Sequence, residues 1–258
     1  MTITGTALVE VRRRSLRRAN IAAGALHAVQ AAAVLALATD FALPVTASYL
    51  EGPPGTAPGD RVVLFDLPTG LAVAGFLALS ALAHLVVVTW WWQRYVADLE
   101  RHRNPARWVE YSLSSSLMIV LIAQLVGISD VAALLAIFAV NAAMILFGWL
   151  QERYEEPGGG GWLPFVFGCV TGAVPWIAIT VYLLSPAADT GAEPPGFVYG
   201  IFVSLFVFFN IFALNQWLQY RAKGRFRDYV AGEWVYIGLS LTAKSALAWQ
   251  VFGGTLAG

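Results

Sequence analysis

Charge is scarce in this chain: Asp, Glu, Lys and Arg make up 12% of its 258 residues, where a soluble domain of average usage carries about 25%. That shortage excludes an ordinary water-facing surface. The even balance of 16 basic and 16 acidic residues points to no acidic partner. Cysteine is nearly absent, and a lone Cys169 forms no internal disulfide and offers no metal cluster. Histidine is held to three residues. His27 and His84 lack the HExxH spacing of a metalloprotease, and no nucleophile elbow is present. An enzyme is therefore the least expected class. A secretory signal is also missing, because RRRSLRR leads straight into a long apolar segment without a small-residue cleavage pattern.

Apolar sequence is what the chain has in quantity. Hydrophobic residues reach 58% and the mean hydropathy is +0.65. They fall in stretches of about 20 residues, the length of a transmembrane helix. Seven segments qualify: Ser15–Thr39, Leu67–Tyr95, Pro105–Val126, Val131–Glu152, Trp162–Leu184, Pro195–Tyr220 and Asp228–Phe252. Lipid leaves the backbone no partner but itself, so each is expected to be helical. The fold class is an all-α membrane protein, one seven-helix domain over residues 1–258 with a basic segment at 1–14 and a long first outer loop at 40–66. Pro53, Pro54 and Pro58 punctuate that loop, Gly158–Gly161 the fourth, and Pro186 with Pro194–Pro195 the fifth. Pro175 inside the fifth span predicts a kink. Gly158–Gly161 reads as a flexible linker, since no Lys-Ser/Thr follows it as in a phosphate loop. Gly24, Gly75 and Gly127 are expected to allow close helix contact.

Fourteen of the sixteen basic residues fall on one side of such a bundle. They are Arg12, Arg13, Arg14, Arg17, Arg18, Arg94, Arg101, Arg103, Arg107, Arg153, Arg221, Lys223, Arg225 and Arg227. Only Arg61 lies opposite, and Lys244 is inside a span. The positive-inside rule then places the amino terminus in the cytoplasm and the carboxyl terminus outside the cell membrane. The arginine run before the first span is an orientation anchor rather than a nucleic-acid patch. Trp90–Trp92, near an inner helix end, reads as an interfacial aromatic belt. RVVLFDL in the outer loop suggests a strand of a short β-hairpin, which is marginal alone and needs the helices or a second subunit to rest on.

The residue that breaks the pattern is Lys244, near the middle of EWVYIGLSLTAKSALAWQVFG. A lysine there costs roughly 2.5–3.5 kcal/mol on insertion scales. About a dozen apolar or neutral residues on each side make snorkelling a poor escape. The one other acid well inside a span is Glu110, in RWVEYSLSSSLMIVLIAQLVG. A static ion pair is one use for the two, although desolvation cancels most of its Coulombic gain. The other is chemical: an amine in a dry pocket forms Schiff bases with carbonyl compounds, and a protonated imine still needs an acid beside it.

Seven helices, an imine-competent lysine in the last and an acid early in the third resemble the microbial rhodopsins. Lys244 in SLTAK matches their retinal-binding lysine and Glu110 their helix-three counterion. Pumps carry a second acid four residues before the lysine, where this chain has Ser240, and a proton donor three turns beyond the counterion, where it has Leu121. Pumps also have the opposite orientation. An inside amino terminus, a glutamate counterion, Ser240, histidines in the first two helices and a long first outer loop together resemble the heliorhodopsins. The resemblance runs from RANIAAGALHAVQ to SLTAKSALAWQ.

That resemblance implies all-trans retinal bound to Lys244 as a protonated Schiff base, Glu110 as counterion and Ser240 hydrogen-bonded near the imine. His27 and His84 match the family's polar cavity, with Ser80 and Gln30 nearby and either histidine able to accept the released proton. A polyene needs a narrow apolar slot. Tyr111, Ser114, Ser115 and Met118 from helix three are expected to line it. So are Asn141, Met144 and Ile145 from helix four, Pro175 and Trp176 from helix five, and Phe206, Phe209 and Gln216 from helix six. Ordinary helix packing is the competing reading for each.

With Ser240 and Leu121 at the pump positions, a light sensor with a signalling role is expected rather than a pump. The basic inner face, including RAKGRFRD, is available to a cytoplasmic partner or to anionic lipid. The family resemblance also implies a homodimer. Two alternatives stay open at this stage: a light-gated ion or proton path, and a retinal-free transporter using Lys244 and Glu110 as a coupling pair.

Overall fold

A computed structural model of the chain describes residues 4–185 and 194–256; Pro186 lies outside them. Helix α1 (Thr4–Leu37) is followed by strands β1 (Ala42–Leu50) and β2 (Pro58–Pro68). Then come α2 (Thr69–Val88), α3 (Trp92–Glu100), α4 (Pro105–Leu125), α5 (Val131–Tyr154), α6 (Leu163–Leu184), α7 (Gly196–Arg221) and α8 (Tyr229–Val251). Six of these helices (α1, α2 and α4–α7) are long and apolar enough to cross a membrane. Helix α8 is of spanning length at 23 residues, but it carries the buried Glu233 and Lys244.

Local chemistry sets most boundaries. Asn104 caps α4 by accepting the Arg107 N–H at 3.1 Å, with Pro105 at the first helical position. Asp130 caps α5 through the Ala132 and Ala133 N–H groups, and Asp228 caps α8 through Val230. Helix α6 runs on through Pro175.

The second span differs from its expected extent. The expected helix Leu67–Tyr95 stops at Val88, turns through Thr89–Trp91 and restarts as α3. The β-branched run Val86–Thr89 favours an end there. Thr89 also donates its hydroxyl back to the Leu85 carbonyl at 2.6 Å. Helix α3 then folds Tyr95, Val96 and Leu99 against Leu16, Val87 and Tyr229. Trp90 at the break is 84% exposed.

The hairpin is present, antiparallel from Ala42↔Pro68 to Leu50↔Pro58. It rests on the helices: Thr46 donates its N–H to the Ser129 carbonyl at 2.8 Å, and their hydroxyls meet at 3.0 Å beside the start of α5. In the bundle α1 packs on α2, α2 on α4, α4 on α5, α5 on α6, α7 on α8 and α8 on α1. The glycines divide. A Cβ on Gly24 would lie 2.9 Å from the His84 Cβ, so α1 and α2 approach this closely only without one. Gly127 is no helix contact. Its φ of +96° is the left-handed turn after α4, with open space around it. Gly75 makes only an ordinary contact, 3.5 Å to Leu117.

Candidate functional site

Lys244 and Glu110 meet inside the bundle. Lys244 Nζ donates to Glu110 Oε1 at 2.8 Å and to Ser240 Oγ, one turn back on α8, at 2.9 Å. Ser80 from α2 donates to the same Glu110 oxygen at 2.6 Å. The face of Tyr111 lies 4.9 Å from Nζ. Lys244 is only 3% exposed, so the Glu110 carboxylate, the Ser240 hydroxyl and an aromatic face stand in for the water it has lost.

On one side of this pair lies an apolar slot. Lys244, Ser240, Tyr111, Ser114, Ser115, Met118, Met144, Ile145, Phe209 and Gln216 line it, as the sequence suggested. Trp108, Gly148, Phe165, Gly168, Phe212 and Tyr236 line it too, and sequence reasoning missed them. Four expected residues do not border it. Asn141 is turned into the α4–α5 contact, donating to Ser115 and Ser116 at 2.9 and 3.0 Å. Pro175 and Trp176 are buried behind the wall, where the Trp176 ring meets Phe209 edge-on at 5.4 Å. Phe206 is 42% exposed on the outside of α7.

On the other side is a polar cavity bordered by Asn20, His84, Tyr95, Asn104, Arg107, Glu110, Glu233 and Ser240. His84 Nδ1 bonds Asn20 Oδ1 at 2.8 Å and its ring stacks on His27 at 5.8 Å between centroids. His27 is fully buried with both ring nitrogens unpartnered. Gln30 is not part of this group: it accepts from the Trp249 indole at 3.1 Å in an exposed position. Asn20 takes the place expected for it.

The largest surprise is Arg107, expected among the inner surface charges. It is buried, its guanidinium 2.7 Å from Glu152 and also hydrogen-bonded to Glu233. Tyr236 lies across its other face at 3.9 Å. Glu152 further accepts from Tyr229 at 2.7 Å, and Glu233 from Tyr95 at 3.0 Å and Asn104 at 2.8 Å. One cation and two carboxylates thus tie α3, α4, α5 and α8 at the end of the polar cavity. The signal available in the sequence was an arginine in the first turn of a span, three residues before Glu110, with acids near the same ends of two other spans.

The donor set fits a covalently held polyene aldehyde: a buried primary amine, one carboxylate beside it and a slot with aromatic and methionine walls. A family model for heliorhodopsins matches residues 16–256, nearly the whole chain. The chain belongs to the heliorhodopsin family. Comparison with curated proteins gave no match. Membership makes this heliorhodopsin a retinal-binding, light-sensing rhodopsin, and its apolar helices make it a multi-pass membrane protein in contact with lipid.

Proposed function

We propose that this heliorhodopsin is a signalling light sensor, with all-trans retinal on Lys244 as a protonated Schiff base and Glu110 as its counterion. The observation that carries the reading is the position of Lys244 Nζ, 2.8 Å from Glu110 on one side and bordering the apolar slot on the other. The ammonium nitrogen stands where the imine nitrogen would be, and both carry one positive charge that the carboxylate balances. Bound retinal supplies a double-bond isomerisation driven by light. The chain's own groups do the rest. Glu110 and Ser240 hold the nitrogen, Tyr111 faces it, and Met118, Met144 and Phe209 exclude water from the slot. His84, which borders the polar cavity beside Glu110, and His27 stacked on it would be the acceptors of the imine proton in this reading.

Ion pumping is not part of the reading. Transport needs ionisable groups in sequence on both sides of Lys244. Among the described residues the buried charged side chains other than Lys244 are Arg107, Glu152 and Glu233, and these three are tied to one another, while Leu247, Ala248 and Val251 follow Lys244 along α8 as buried apolar residues. The amino terminus is cytoplasmic in this proposal, supported by the fourteen basic residues on one side. A homodimer is supported by β2, whose Val62, Val63, Leu64 and Phe65 are all exposed. A cytoplasmic signalling partner would meet the basic inner face.

An absorption spectrum tests the reading. Protein expressed with all-trans retinal should show a visible band that Lys244→Ala lacks. A band in neither would leave Lys244 and Glu110 as an ion pair and favour the transporter.

A further inference from the structure

A groove lies away from the retinal site, between the amino-terminal part of α1 and the start of α8. Arg12 stands on one side; Arg225 and Asp228 stand at the turn before α8; Val230, Ala231, Trp234 and Val235 form the other wall. The open space is about 540 Å³. Its chemistry is graded along α8, cationic at the turn and apolar below it, where Trp234 and Val235 are 40% and 36% exposed.

The charges in the groove are not balanced. Asp228 uses both carboxylate oxygens: Oδ1 accepts the Val230 N–H at 3.1 Å and Oδ2 takes the Arg12 guanidinium at 2.7 Å. Arg225 makes no ion pair among the described residues. One acid therefore faces two arginines, and the end of α8 is already capped by Asp228. An anion entering here would be held by guanidinium groups, which present paired N–H donors to phosphate oxygens. The apolar wall below continues into the lipid-facing surface of α8, with Trp234 at the boundary as an interfacial anchor. A soluble anion would have no use for that wall, whereas an acyl chain would lie along it.

We propose that this groove binds an anionic phospholipid, its phosphodiester between Arg225 and Arg12 and its acyl chains against Trp234 and Val235. The site rests on the chain's spanning a membrane, with this end at a lipid headgroup layer, and is independent of retinal. It makes the basic RAKGRFRD turn a lipid anchor that fixes α1 against α8, the helix that carries Lys244.

The test is native mass spectrometry of the full-length protein with retinal, released from nanodiscs of phosphatidylcholine with a minor share of phosphatidylglycerol. The parent should retain phosphatidylglycerol above its share. Arg225→Gln should weaken that retention about fivefold, as expected near a membrane surface for one basic residue worth about 1 kcal/mol. Arg61→Gln, in β2, should change nothing. Equal loss in Arg61→Gln would mean diffuse charge attraction and overturn the site. Displacement of the lipid by millimolar inorganic phosphate would make it a soluble-anion site. No preference in the parent would leave the basic face to a protein partner. The visible band of each variant reports folding and retinal loading separately. If Arg225→Gln lacks the band, the exposed Arg12→Gln carries the same comparison.

Discussion

Ser80 and Lys244 donate to the same oxygen of Glu110: the hydroxyl lies 2.6 Å and the ammonium 2.8 Å from Oε1. Three helices, α2, α4 and α8, thus converge on one atom. A hydrogen bond from Ser80 spreads the carboxylate's charge and weakens its hold on the nitrogen. Ser80→Ala should therefore concentrate that charge and move the visible band to shorter wavelength. A shift to longer wavelength would mean that the hydroxyl supports the pair in another way.

Glu110→Gln should act in the opposite sense and more strongly. Without the counterion the positive charge spreads into the polyene, and absorption moves to longer wavelength while the imine keeps its proton. The imine also gives that proton up more readily. An unchanged spectrum at fixed pH would show that Glu233 or another group balances the charge.

Arg107 offers a stability test away from the chromophore. Removing one partner of a buried ion pair costs about 3–5 kcal/mol, and here Arg107→Gln strands two carboxylates, Glu152 and Glu233. The variant should lose its visible band at a markedly lower temperature than the parent. Acidification should restore part of the difference, because protonating the stranded acids removes their charge. Arg107→Gln combined with Glu152→Gln and Glu233→Gln should also recover stability. Thermal bleaching of the parent and these two variants, at neutral and at acid pH, measures both effects. A triple variant no better than Arg107→Gln would show that shape, not charge, makes this cluster matter.

The readable parts of the sequence were those where chemistry conflicts with lipid. Lys244 and Glu110 stood out because a charge in an apolar stretch needs a partner, and the structure places them in contact. Asn104, Asp130 and Asp228 mark helix starts through their own side-chain bonds. Residues near helix ends misled, because a buried charge and an interfacial charge look alike there; Arg107 and Glu233 are the cases. Phe206 shows a second limit. Lipid and protein core are equally apolar, so hydropathy does not reveal which face of α7 turns inward. Gln30 and Asn20 show a third. Both lie on α1, and only the position of α2 beside it decides that Asn20 meets His84.

Gly148 gives a prediction about the slot itself. A Cβ at this position would lie 2.6 Å from Cζ3 and 2.9 Å from Cη2 of Trp108, and 3.3 Å from the Gln216 side-chain oxygen. Gln216 is already fixed by donating to the Gly148 carbonyl at 2.8 Å. Trp108 must therefore give way, and it is buried with Tyr236 edge-on at 6.1 Å and the Arg107 guanidinium 4.6 Å from its ring. The open direction is the slot. Gly148→Ala should push the indole into the space the polyene needs and reduce the visible absorbance per mole of protein. Overpacking of this kind costs about 1–3 kcal/mol, so the variant should still fold, which circular dichroism of the retinal-free protein checks. Gly148→Ala paired with Trp108→Phe removes the colliding ring atoms and should restore retinal loading. Full loading in Gly148→Ala alone would mean that the indole moves away from the slot and that this wall does not set its width.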